Sequence, residues 1–156
     1  MWEKYNVVEC SPDAVSIYPN QKGFGWTNGV YSALLGKAII GLDYDLARHR
    51  AVIEPLFCPT LAGRDLSARF CGYLGDEVTL ALSSAPDLRR QALSLSASPP
   101  FPHLEVRLRD HFPADPVQVT VNGAPRPHRR ERRPYGTVIV ELEDAAEVEL
   151  RVCWER

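Results

Sequence analysis

Several protein classes are excluded by what this chain lacks. No apolar run approaches the roughly 20 residues needed to cross a bilayer as a helix, and the N-terminus has neither the basic nor the apolar region of a signal peptide. No membrane association is therefore expected. Lys and Arg number 18 against 20 Asp and Glu, a net charge of −2, so no basic surplus draws the chain to nucleic acid. The four cysteines, Cys10, Cys58, Cys71 and Cys153, contain no C-x-x-C pair. Nor do His49, His103, His111 and His128 show ligand spacing, so neither a metal site nor a cofactor is expected. Cys71 and Cys153 fall in strand-like runs, where a buried thiol is the commoner state. Reduced cysteines and a cytoplasmic location follow as the expectation. No internal repeat is present, and 156 residues suit one domain, or one domain with part of another.

Against that background two early segments stand out: Trp2-Glu3-Lys4-Tyr5-Asn6 and Gln21-Lys22-Gly23-Phe24-Gly25-Trp26-Thr27-Asn28-Gly29-Val30. They join one carboxylate in aromatic company to a glycine-aromatic turn. Aromatics beside glycine commonly serve core packing at a tight turn, and most glutamates are solvated. The same residues also form a wall for a flat, partly apolar ligand such as a sugar ring, with a glutamate beside it to handle a proton or a water.

Glu3-Lys4-Tyr5 and the run from Gln21 to Val30 resemble, almost residue for residue, the second signature of the trehalase family of inverting glycoside hydrolases, which are built on an (α/α)6 barrel. The resemblance covers about the first forty residues. It implies that Glu3 is the general base that activates the attacking water. It also implies that Trp2, Tyr18, Gln21, Phe24 and Trp26 line or support a pocket for a carbohydrate substrate. In inversion one carboxylic acid protonates the glycosidic oxygen while a carboxylate on the opposite face deprotonates a water. The two stand roughly 6.5–9.5 Å apart.

Two departures qualify what the resemblance implies. Trehalases carry a Glu-Tyr pair ahead of the glutamine, whereas this chain has Ile17-Tyr18, and Val8 to Val15 replaces their polyglycine loop. A carboxylate able to hold sugar hydroxyls is thus missing, which opens the alternative of a related oligosaccharide or glycosylglycerate hydrolase. The family's catalytic acid also lies far upstream of the base, while this sequence begins at the base. The expected partner is therefore an upstream barrel segment, or a complementary subunit from a split gene. Alone, the chain is not expected to hydrolyse anything.

Residues 1–26 read as loop-rich, broken by Pro12, Pro19 and glycines. Thr27 or Asn28 can then cap a helix whose apolar stripe is Val30, Leu34, Leu35, Ala38, Ile39 and Leu42, with Gly41 as its stop. Asp43-Tyr44-Asp45 and His49-Arg50 form a polar link. From about Ala62 the period changes. Strands are expected over 68–74, 78–83, 91–97, 104–109, 117–121, 137–142 and 148–154, with Pro99-Pro100-Phe101-Pro102 as a stiff connector. Asn122-Gly123 signals a reverse turn. The arginine-rich run from Arg126 to Pro134 reads as a solvated hairpin arm.

The expected fold class is therefore α+β. Residues 1–54 would be the C-terminal part of a helical barrel, a loop plus one or two helices. Residues 55–156 would form an antiparallel β-sandwich accessory domain. The rival function from another class is a non-catalytic sandwich module that binds carbohydrate or braces a neighbour.

Overall fold

The computed structural model describes residues 40–45, 50–56, 59–71, 77–132 and 136–155. The chain divides between Ile39 and Ile40, and the described residues belong to the second unit. The expected helix over Val30 to Ile39 lies outside them.

The described unit is built of nine strands: β1 (Leu42–Asp45), β2 (Arg50–Ile53), β3 (Asp65–Cys71), β4 (Glu77–Ser84), β5 (Arg90–Arg109), β6 (Val117–Val121), β7 (Ala124–Pro125), β8 (Arg129–Glu131) and β9 (Thr137–Trp154). A 3-10 turn, Pro59–Leu61, precedes β3. The runs expected to be extended lie in strands; of the first, residues 68–71 fall in β3, which starts earlier at Asp65, and residues 72–74 lie outside the described residues.

Two strands organise the rest. β5 and β9 pair antiparallel from Arg90↔Cys153 to Arg109↔Thr137, with a register shift between Ser96 and Phe101. At that shift stands the Pro99–Pro102 connector, and across from it Asp144 takes a positive φ of 48°. Each long strand therefore works as two. Residues 90–98 of β5 pair with β4, which pairs with β3, and residues 147–154 of β9 add β6. The later part of β5 pairs with β2 and the earlier part of β9 with β8.

A straight strand would hold Gln91 and Arg109 about 60 Å apart. Instead the Gln91 Nε2 donates to the Arg109 carbonyl at 3.2 Å. β5 thus folds back on itself, and its two halves face across one core. Leu80, Leu82, Leu93, Leu95 and Leu150 from one half join Ile53, Leu104, Val106, Leu108, Val138 and Val140 from the other in a single buried cluster. Alternation drives this arrangement: in Leu93-Ser94-Leu95-Ser96-Ala97 every second residue is buried and the rest face outward.

The described unit is compatible with a β-sandwich, but it is mixed rather than wholly antiparallel, because β2 runs parallel to β5 with Arg50↔His103 to Ile53↔Val106. Leu42, expected at the end of a helical stripe, sits in β1, and the link residues Asp43–Asp45 and Arg50–Ile53 are strands of this sheet. Buried Ala51 and Ile53 provide the apolar face that draws them in. Gly41, just before β1, stands at φ +74°. Its carbonyl accepts from the Glu54 amide at 2.9 Å. Asn122 and Gly123, at φ 49° and 79°, make the two-residue turn between β6 and β7. The arginine-rich run is not wholly a solvated arm: Arg129–Glu131 is a strand, and Arg130 turns inward.

Candidate functional site

Glu3, Trp2, Tyr18, Gln21, Phe24 and Trp26, the residues of the expected sugar pocket, all lie outside the described residues. Two charged clusters built on a buried carboxylate occur among the described residues, and their chemistry decides whether either is a rival site.

The first closes one end of the core. Asp110 follows the last residue of β5 and is buried. Its carboxylate accepts from Trp154 Nε1 at 2.8 Å, the Phe112 amide at 3.2 Å and Arg130 Nε at 2.8 Å. Arg130 Nη2 approaches the same carboxylate at 2.6 Å. The guanidinium also donates to the carbonyls of Asp115 at 2.8 Å and Phe112 at 3.0 Å. Arg89 bonds the Asp115 carboxylate at 2.7 Å and stacks over the Phe112 ring at 4.1 Å from its centroid. A carboxylate with every lone pair occupied, walled by Trp154 and Phe112, has no face for a substrate. This cluster holds the turn 110–116 onto the strand ends.

The second lies on the outer face of β5. Glu105 is buried although it points away from the core, because Arg50 and Arg107 lie over it and both bond its carboxylate. Arg107 also reaches Glu54 at 3.5 Å. Burial works to raise the Glu105 pKa, but the bonds and charges of Arg107 and then Arg50 outweigh it and leave it below its ordinary value. A catalytic acid must hold its proton near neutral pH. Glu105 is set the opposite way, as an anion near neutral pH that ties β2 to β5. Beside it His103 and Glu143 pair at 2.9 Å on the open surface.

No group of His, Cys, Asp and Glu among the described residues could hold a metal ion. Cys153 is free and half-buried. The outer face of β3, β4 and β5 forms a shallow trough of about 610 Å³ floored by Ser67, Ala81, Ser83 and Ser94. Sequence reasoning missed Asp110, Arg130 and Glu105. Only the inward register of Trp154, alternating with Val152 and Leu150, hinted that a buried donor would need a partner.

Within the described unit, then, the strands form a scaffold and its charged clusters are clasps. Residues 1–38 match the family model described as Trehalase. No curated protein sequence matches the chain. Among solved structures, the alpha-L-rhamnosidase from Dictyoglumus thermophilum is similar, with a TM-score of 0.52 and 13% identity over 74% of this chain and 12% of that one. The chain thus spans a small part of the rhamnosidase, and at that identity the likeness is one of fold. The match over residues 1–38 supports a relationship to glycoside hydrolases.

Proposed function

We propose that this chain is the C-terminal portion of an inverting glycoside hydrolase resembling trehalase, that Glu3 is its general base, and that the substrate is an α-glucoside. The observation that carries this reading is the match of residues 1–38 to the Trehalase family model; a likeness in fold between 74% of the chain and part of an alpha-L-rhamnosidase accompanies it. Gln21, Phe24 and Trp26, with Trp2 and Tyr18, would shape the sugar pocket. The catalytic acid and the rest of the barrel would come from an upstream segment or a complementary subunit. With Ile17 where trehalases carry a glutamate, an oligosaccharide or glycosylglycerate is the rival substrate class.

The β unit is assigned a bracing role rather than sugar binding. Sugar-binding faces stack rings on exposed aromatics, whereas among the Phe, Tyr and Trp side chains whose burial is described Phe101 and Trp154 are buried in the core and Phe112 packs against it.

The test uses the full-length protein carrying the barrel. Hydrolysis of an α-glucoside should release the sugar with inverted anomeric configuration, read by proton NMR. Glu3→Gln should remove turnover and keep sugar binding. Turnover that persists in Glu3→Gln rules out Glu3 as base. Sugar binding that survives Trp26→Ala and Phe24→Ala together would favour the binding-module reading instead.

A further inference from the structure

Sheet edges expose unpaired backbone groups, and proteins blunt them with short strands, prolines, inward charges or bulges. Three edges among the described residues are blunted in this way. β1 is four residues and carries Asp43 and Asp45, β7 is two residues ending in Pro125, and β8 is the three residues Arg129–Glu131. β3 is different. It is seven residues long, contains no proline, and pairs with β4 without a register shift from Asp65↔Ser83 to Cys71↔Glu77. Among the described strands β4 is its one neighbour.

The core is also left half-covered along this edge. Leu66 and Ala68 stand in register with buried Leu82 and Leu80, pack on the same cluster, and are themselves only partly buried. On the other face Asp65, Ser67 and Arg69 are exposed. These residues form a self-complementary series about Ser67. In an antiparallel pair of two such strands with Ser67 opposite Ser67, each Asp65 faces an Arg69 of the other copy, and each Leu66 faces an Ala68. Arg69 bonds Glu77 of its own strand pair at 2.8 Å with 64% of its side chain exposed.

We propose that β3 is a homodimer edge, and that two copies of this chain pair antiparallel through Asp65–Arg69 about a two-fold axis at Ser67. The occupant is a second copy because the charges are of opposite sign at equal distances from Ser67, so a two-fold axis there sets each Asp65 against an Arg69 of the other copy. One strand pair falls short of the roughly 1,200 Å² of a standard stable interface, so the association is weak and concentration-dependent. This inference is independent of the proposed hydrolase activity.

Sedimentation equilibrium of the full chain under reducing conditions, over an about 100-fold range of concentration, tests it. The wild type should pass from monomer to dimer. Asp65→Arg places like charges opposite each other twice per dimer and should weaken association about 10-fold. Adding Arg69→Asp should restore it. Ser67→Cys should form a disulfide-linked dimer on mild oxidation, where the wild type and Ser94→Cys, two strands away, do not. A monomer at every concentration would overturn the proposal. So would association that ignores Asp65→Arg, or a charge swap that fails to restore it. Circular dichroism of each variant checks that the strands remain folded.

Discussion

The indole of Trp154 donates to the Asp110 carboxylate at 2.8 Å across 44 positions of sequence, joining the last residue of β9 to the first residue after β5. That bond, with Arg130 on the other carboxylate oxygen, fixes where both long strands end. Asp110→Ala should therefore destabilise the β unit by about 3 kcal/mol. It removes one member of a buried pair and leaves Trp154 without its acceptor. Asp110→Asn keeps an acceptor for the indole and should cost about half as much. Urea unfolding followed by tryptophan fluorescence measures both. Equal losses in the two variants would show that the charge, not the hydrogen bond to Trp154, matters.

What the sequence revealed of this fold follows from burial on one face. Val117-Gln118-Val119-Thr120-Val121 and Val148-Glu149-Leu150-Arg151-Val152 alternate because only one side of each strand meets the core, and both were legible. β5 and β9 read as two strands each. Pro99–Pro102 interrupts the pattern of the first, and the Asp144-Ala145-Ala146 bend interrupts that of the second. β2 was not legible: four residues with two buried positions carry no period, and its parallel pairing depends on a strand fifty positions away. Arg130 was lost in the average of a charged run, because composition does not show which arginine a register turns inward. The expected catalytic residues fall on 1–39, outside the described residues, so the role of Glu3 is what the resemblance of its segment implies.

Glu105 makes the unit acid-sensitive in a defined window. Its folded-state pKa lies below the ordinary 4.5, since Arg107 and Arg50 outweigh the opposing effect of burial. A carboxylate depressed in this way contributes fully above the unfolded value, and the contribution is lost as pH falls through the folded one. Unfolding midpoints should thus drop below about pH 4.5, and Glu105→Gln should flatten part of that drop. The Glu77 pKa is also lowered, chiefly by its bond from Arg69, but both side chains are largely open to solvent, which screens the pair. Glu77→Gln should leave the pH profile of stability unchanged.

Two glycines at nearly the same φ should respond differently to alanine. Gly41 and Gly123 stand at +74° and +79°, so each substitution carries the left-handed penalty of about 1 kcal/mol. At Gly123 a Cβ meets nothing within 4 Å, and the cost should end there. At Gly41 it would stand 1.9 Å from the Glu54 carbonyl oxygen, on backbone that cannot move aside. Gly41→Ala should therefore separate β1 from β2 as well. Amide hydrogen exchange of Ala51 to Glu54 should accelerate in Gly41→Ala and stay unchanged in Gly123→Ala.

Gln91 allows packing and hydrogen bonding to be weighed at the fold-back of β5. Its Nε2 ties the strand's start to the Arg109 carbonyl, while its buried Oε1 has no partner among the described residues. Gln91→Met removes a bond contributing about 1 kcal/mol and leaves the carbonyl one donor short. It also removes a desolvated, unsatisfied oxygen whose burial costs about 1–3 kcal/mol, and a methionine fills a similar volume. The opposing effects nearly cancel, so Gln91→Met should change stability by less than about 1 kcal/mol. Leu93→Ala, two residues along on the same buried face, opens a cavity with no such compensation and should cost about 2–5 kcal/mol. If urea titration found the reverse order, the hydrogen bond to Arg109 rather than the apolar cluster would be what holds the two halves of β5 together.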